Sequence, residues 1–119
     1  MRNNLYEVKR EDWEPHGHQD AECQRISALV EDVMDLAISE AFSTPVDLNM
    51  YPDYAFSIEY LVDLSTIKAR LDNLFYRRSN AIETDIEHIA INAEKFNQPE
   101  AEIVTHAKII KDLLLEIVQ

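Results

Sequence analysis

Apolar residues recur every three or four positions along most of this chain, a spacing that places them on one face of successive helices. Ile26, Leu29, Val33, Leu36 and Ala37 predict a first helix over 21–40, with Asp20 as its N-cap. Leu64, Ile67 and Leu71 predict a short second helix over 64–74, capped by Asp63. Ile82, Ile86, Ile89 and Ala93 mark a third over 79–96. Ile103, Ala107, Ile110, Leu114 and Ile117 mark a fourth over 100–118. With no alternating strand pattern between them, four amphipathic helices predict an all-α chain whose stripes bury one another in a four-helix bundle.

Two segments depart from this rhythm. Residues 41–62 hold Pro45 and Pro52 and show no sustained helical period. They carry Phe42, Val46, Leu48, Met50, Tyr51, Tyr54, Phe56 and Ile58, too many apolar groups for a solvated linker. The segment is therefore expected to pack on the bundle as a long loop, and long loops in compact domains are usually functional. Residues 1–20 are polar and aperiodic, with Trp13, Pro15 and Gly17, and read as a linker or docking arm before a domain over 21–119.

Composition narrows the chemistry. Gly17 is the only glycine, so tight hairpins and glycine-rich phosphate loops have no material beyond the arm. Cys23 is the only cysteine, which excludes an intrachain disulfide and points to a reducing compartment. His16, His18, Glu22 and Cys23 match no zinc spacing, so neither a metal nor another cofactor is expected. No Ser-His-Asp or Cys-His set is present, and no enzyme is expected. No apolar run approaches a membrane span.

Eleven basic against 23 acidic residues give a formal charge of −12. Such a field repels nucleic acid and attracts basic partners, or simply solvates the helix faces. A local cluster of Lys68, Arg70, Arg77 and Arg78 leaves room for weak phosphate contact.

Two polar residues stand where a ligand would meet the bundle. Asn97 falls at the end of the third stripe, just before Pro99, and Tyr54 lies on the long loop. An amide and a phenol between apolar walls suit a neutral carbonyl ligand. Each has a plainer reading. Asn97 is also a natural C-cap, because asparagine tolerates the left-handed backbone. Tyr54 is also a core tyrosine with a wet hydroxyl. Asn92, one turn earlier, reads as a partner for loop backbone groups.

The ordered set of motifs resembles the bromodomain family. Pro45-Val46-Asp47 and Pro52-Asp53-Tyr54 stand in the long loop. Asp63-Leu64, Thr66-Ile67 and Arg70-Leu71 open the next helix, and Asn92, Phe96-Asn97 and Pro99 close the third. The similarity covers 21–119. Asp63-Leu64-Ser65-Thr66-Ile67-Lys68, Phe75-Tyr76-Arg77-Arg78 and Glu87-His88-Ile89 are closer still to the first bromodomain of the WD-repeat-and-bromodomain family.

The resemblance implies a left-handed four-helix bundle that reads acetyl-lysine, within a larger nuclear chromatin protein. It implies acetylated tails of histone H3 or H4 as partners, and neighbouring domains of the same chain as further ones. By it, Asn97 donates to the acetyl carbonyl and Tyr54 reaches the same oxygen through water. Val46, Phe42 and Phe96 wall the pocket and Ile103 guards its entrance.

The chain also departs from the family. Many members carry Trp-Pro-Phe at the loop entrance, and here stand Glu40-Ala41-Phe42. Leu61-Val62-Asp63 replaces the usual Pro-Met-Asp. A more open rim and weak peptide affinity are therefore expected. The same departures leave a second reading: an interaction or packing module with a degenerate acetyl-lysine pocket.

Overall fold

The structure, a computed structural model, describes residues 18–119; the arm positions Trp13, His16 and Gly17 lie outside that range. The described residues form α1 (His18–Met34), a 3-10 turn (Ala37–Phe42), α2 (Pro52–Ser57), α3 (Leu64–Asp72), α4 (Ser79–Phe96) and α5 (Glu102–Val118). Among them there is no strand, and the four long helices form the expected bundle. α4 packs most extensively on α5, and α1 on α3. None of these helices is long and apolar enough to cross a membrane.

Most stripes land in one core. Cys23, Ile26, Val30 and Val33 of α1 meet Leu64, Ile67 and Leu71 of α3, Ile82, Ile86 and Ile89 of α4, and Ala107, Ile110 and Leu114 of α5. Each fully buried aliphatic side chain of this kind contributes roughly 1.5–3 kcal/mol before cavity effects. Cys23 is buried in α1, and burial, aided by Asp20 and Glu22, pushes its thiol above the ordinary range.

Four boundaries differ from the sequence reading. The first helix ends at Met34, and Leu36 is 43% exposed rather than inward. The backbone tightens there: Leu36 N–H donates to Val33 O at 3.0 Å, and the Ser39 hydroxyl donates to the same carbonyl at 2.6 Å. Ser39 thus satisfies a carbonyl that a continuing helix would have used, and the 3-10 turn carries Phe42 back into the core. Asp20 sits within the first turn of α1, where its charge suits the helix dipole, and is not the cap.

α3 stops at Asp72 because Leu74 takes a left-handed backbone, φ 56°. Phe75 N–H donates to Arg70 O at 2.8 Å and Leu74 N–H to Leu71 O at 3.2 Å, the paired bonds of a Schellman ending made without glycine. The Gln19 amide holds this turn from α1, donating to Leu74 O and Tyr76 O at 3.1 and 2.6 Å.

α5 begins at Glu102; Ala107, Ile110 and Leu114 are fully buried as expected, but at the two ends of the helix the buried residues are Val104 and Val118 rather than Ile103 and Ile117. That small rotation leaves Ile103 half-buried at the helix start. The long loop contains a helix the stripe could not reveal. α2 opens with proline at its first turn and buries none of its residues.

Candidate functional site

The long loop, the end of α4 and the start of α5 converge on one cavity of about 490 Å3, a size suited to a small ligand. Each part arrives there for a local reason. Asp63 caps α3, accepting from Thr66 N–H at 3.2 Å, from the Thr66 hydroxyl at 2.5 Å and from the Ser65 hydroxyl. This fixes the loop's far end, while the 3-10 turn and buried Phe42 fix its near end. Asp47 holds the middle by accepting from Asn49 N–H at 2.9 Å.

All six residues singled out from the sequence line this cavity: Asn97, Tyr54, Val46, Phe42, Ile103 and Phe96. Val62, Ile89 and Ala93 complete an apolar wall, and Tyr51 and Thr44 reach the mouth. The Tyr54 and Phe96 rings meet edge to face, centroids 4.9 Å apart, so the loop is pinned to α4 beside Asn97.

Asn97 is the C-cap of α4, but its backbone is extended, φ −124° and ψ 163°, so no left-handed tolerance is used. Its Nδ2 donates to Ala93 O at 3.0 Å. Only the NH2 end of an amide can face a carbonyl, so this bond fixes the orientation of the side chain. One further N–H and the Oδ1 oxygen have no hydrogen-bond partner among the described residues. Asn92 is buried, and its Nδ2 donates to the loop carbonyl of Tyr60 at 2.8 Å, the backbone role read from the sequence. It also lines the cavity. Burial pushes the Tyr54 phenol above its ordinary range, and the nearby Asn92 amide partly opposes that shift. The phenol therefore stays neutral at physiological pH, able to donate or accept.

One structural element, away from the cavity, was not foreseen. Asp85, 3% exposed on α4, accepts from Tyr60 Oη at 2.5 Å, from Arg70 at 2.7 Å and from the Tyr76 hydroxyl. Arg70 also donates to Tyr60 Oη at 2.8 Å and lies over the Phe75 ring. Tyr60 thereby ties the loop to α3 and α4 at once. The basic cluster read from the sequence is correspondingly reduced: Arg70 is paired with Asp85, and Lys68 with Asp72 at 2.9 Å and Glu31 at 3.7 Å. Among the described residues no group of His, Cys, Asp or Glu could hold a metal ion.

Comparison with known proteins agrees with this geometry. A family model described as Bromodomain matches residues 25–109. A bromodomain and WD repeat-containing protein of Dictyostelium discoideum is 33% identical over 82 residues, 69% of this chain and 4% of that protein. Tyrosine-protein kinase BAZ1B of Danio rerio is 25% identical over 112 residues, 94% of this chain and 7% of the relative. A nucleosome-remodeling factor subunit NURF301-like protein of Caenorhabditis elegans is 31% identical over 77 residues, 65% of this chain and 4% of the relative. The chain thus spans only a small part of the length of each of these relatives.

Proposed function

The chain belongs to the bromodomain family, and from that premise we propose that its cavity reads acetyl-lysine on the tails of histone H3 or H4. Bromodomains are acetyl-lysine-binding modules rather than enzymes. The reading module covers residues 21–119 and is extended at its start by the first turn of α1, from His18. Relatives named for a nucleosome-remodeling factor and for WD repeats support a place in a larger chromatin protein in the nucleus.

The observation that carries this reading is the donor left over on Asn97, in a cavity whose other walls are mostly apolar. Acetylation turns an ammonium into a neutral amide. An apolar cavity takes the amide readily, but would have to strip water from the ammonium at a cost of several kcal/mol. Selectivity therefore comes largely from rejecting charge. Asn97 donates to the acetyl oxygen, and Tyr54 reaches it through a bridging water. Val46, Phe42 and Phe96 surround the methyl group, and Ile103 stands at the entrance.

One such hydrogen bond is worth about 1 kcal/mol net, and leaving a buried carbonyl unpaired costs about 1–3 kcal/mol. A single small pocket gives affinity weaker than about 10 μM. The alternative, a packing module with a degenerate pocket, implies a cavity that is filled or stripped of its polar groups. An open cavity lined by Asn97, Asn92 and Tyr54 favours the reader.

The test is a titration of acetylated and unmodified H3 and H4 peptides followed by NMR. Acetyl-dependent shifts at Asn97, Tyr54, Val46 and Ile103 are expected. Equal binding of both peptide forms, or none at millimolar concentration, would overturn the proposal.

A further inference from the structure

Three acidic residues line the cavity, Glu40, Asp47 and Asp63, and no lysine or arginine does. Two of the three carboxylates already have work in the fold. Asp63 is buried beneath the hydroxyls and backbone N–H that cap α3, and Asp47 holds the loop through Asn49 N–H. Glu40 differs. It is exposed on the 3-10 turn, and its carboxylate enters no hydrogen bond or ion pair among the described residues. Its position is the one where many bromodomains carry the tryptophan of an apolar shelf.

An anion without a partner among the described residues, at the mouth of a mostly apolar cavity, has a definite preference for what passes over it. Acetyl-lysine itself is neutral and enters the cavity. The residue beside it on the peptide must cross the rim. A cation there meets Glu40 at short range, while a second acetyl-lysine brings no charge for it to attract. We infer that Glu40 makes this cavity selective for a singly acetylated lysine flanked by an unmodified lysine or arginine, over one flanked by neutral or acetylated residues. The inference rests on the acetyl-lysine reading above. It adds a specificity determinant that the apolar walls cannot supply.

The size of the effect is bounded by exposure. A solvent-exposed ion pair is worth a fraction of a kcal/mol, so the preference is roughly two- to five-fold at low salt. It shrinks as the Debye length falls from about 10 Å at 0.1 M to about 3 Å at 1 M salt. The overall charge of −12 also draws basic peptides, without regard to the rim. The experiment must separate a local carboxylate from this general field.

Three peptides of equal length are titrated by NMR: one acetyl-lysine flanked by arginine, one flanked by glutamine, and one with two adjacent acetyl-lysines. They are tested against the natural chain, Glu40→Gln, Glu40→Lys and Glu116→Gln. Glu116 is exposed near the far end of α5, about 20 Å along the helix from Ile103. The natural chain and Glu116→Gln are expected to favour the arginine-flanked peptide over the other two. Glu40→Gln is expected to bring that ratio close to one, and Glu40→Lys to invert it. Acetyl-dependent binding with the same ratio in the natural chain and Glu40→Gln would overturn the role of Glu40 alone. No acetyl-dependent binding of any peptide would overturn the acetyl-lysine reading with it.

Discussion

Two polar regions lie along α4, about 18 Å apart by helical rise, and they are built to opposite rules. At Asp85 both carboxylate oxygens have donors, from Tyr60, Arg70 and Tyr76, and the group is nearly inaccessible to water. At Asn97, which lines a cavity, one donor bond is made within the helix and a second N–H has no partner among the described residues. The saturated region can only hold the fold. The unsaturated one has capacity for something the fold does not contain. The difference teaches that burial and polarity alone do not mark a site; the count of unmet hydrogen bonds does. Tyr60 joins the two regions, with its hydroxyl in the first and its carbonyl accepting from cavity-lining Asn92.

The comparison breaks most visibly at Asp85. Asp85→Ala leaves the half-buried Arg70 guanidinium and two phenols without their acceptor, and a loss of about 2–3 kcal/mol in chemical denaturation is expected. A loss below 1 kcal/mol would show that the network is not a structural anchor.

Asn97→Ala should divide its effects the other way. Stability should fall by about 1 kcal/mol, for the lost bond to Ala93, while acetyl-peptide affinity drops at least tenfold. Calorimetric titration beside thermal melts checks both halves. A variant that melts far earlier yet binds when folded would reverse the assignment.

Tyr60→Phe sharpens the comparison at its joint. It keeps the ring against His88 and the carbonyl that Asn92 uses, and deletes only the hydroxyl. Stability should fall by about 1 kcal/mol with peptide affinity unchanged. A parallel fall in affinity would mean that the structural network also sets the shape of the cavity.

The smallest effect is absent at neutral pH. Burial first, and then the bond to Asp85, push the Tyr76 phenol far above its ordinary range. A raised folded-state value makes its contribution whole below the unfolded phenol value, about pH 10, and lost as pH rises further. Melting temperature should therefore fall on the alkaline side. Tyr76→Phe, less stable at neutral pH, should show a shallower alkaline decline.

Much of the frame was legible in the sequence because it follows from periodicity. α4 runs over the predicted 79–96, and Asp63 caps α3 as its place before Leu64 implied. Asn97 and Tyr54 stood out as polar groups at the edges of apolar segments. Other features rest on contacts that no local pattern carries. The end of α1 depends on one Ser39 hydroxyl reaching back to Val33, and the apolar stripe runs on past it to Leu36. α2 buries nothing, so it leaves no stripe. The Arg70–Asp85–Tyr60 network joins residues 15 and 25 positions apart, and reading Arg70 as a surface cation missed it. The loop-backbone role of Asn92 was legible, and its place on the cavity wall had a signal that went unused: it is a polar residue on the inward face of α4, between Ile89 and Ala93.

The buried thiol of Cys23 has a practical consequence. The thiolate is the reactive form, and here burial suppresses both ionisation and access. The folded molecule should be silent to maleimide dyes. A cysteine introduced at Met50, 69% exposed and next to cavity-lining Tyr51, would then take a fluorophore by itself, and its emission would report ligand arrival. Cys23 would become reactive only when α1 lifts from the core. Timed pulses of a second dye would therefore clock spontaneous opening of the bundle in the same molecules whose occupancy the first dye reads.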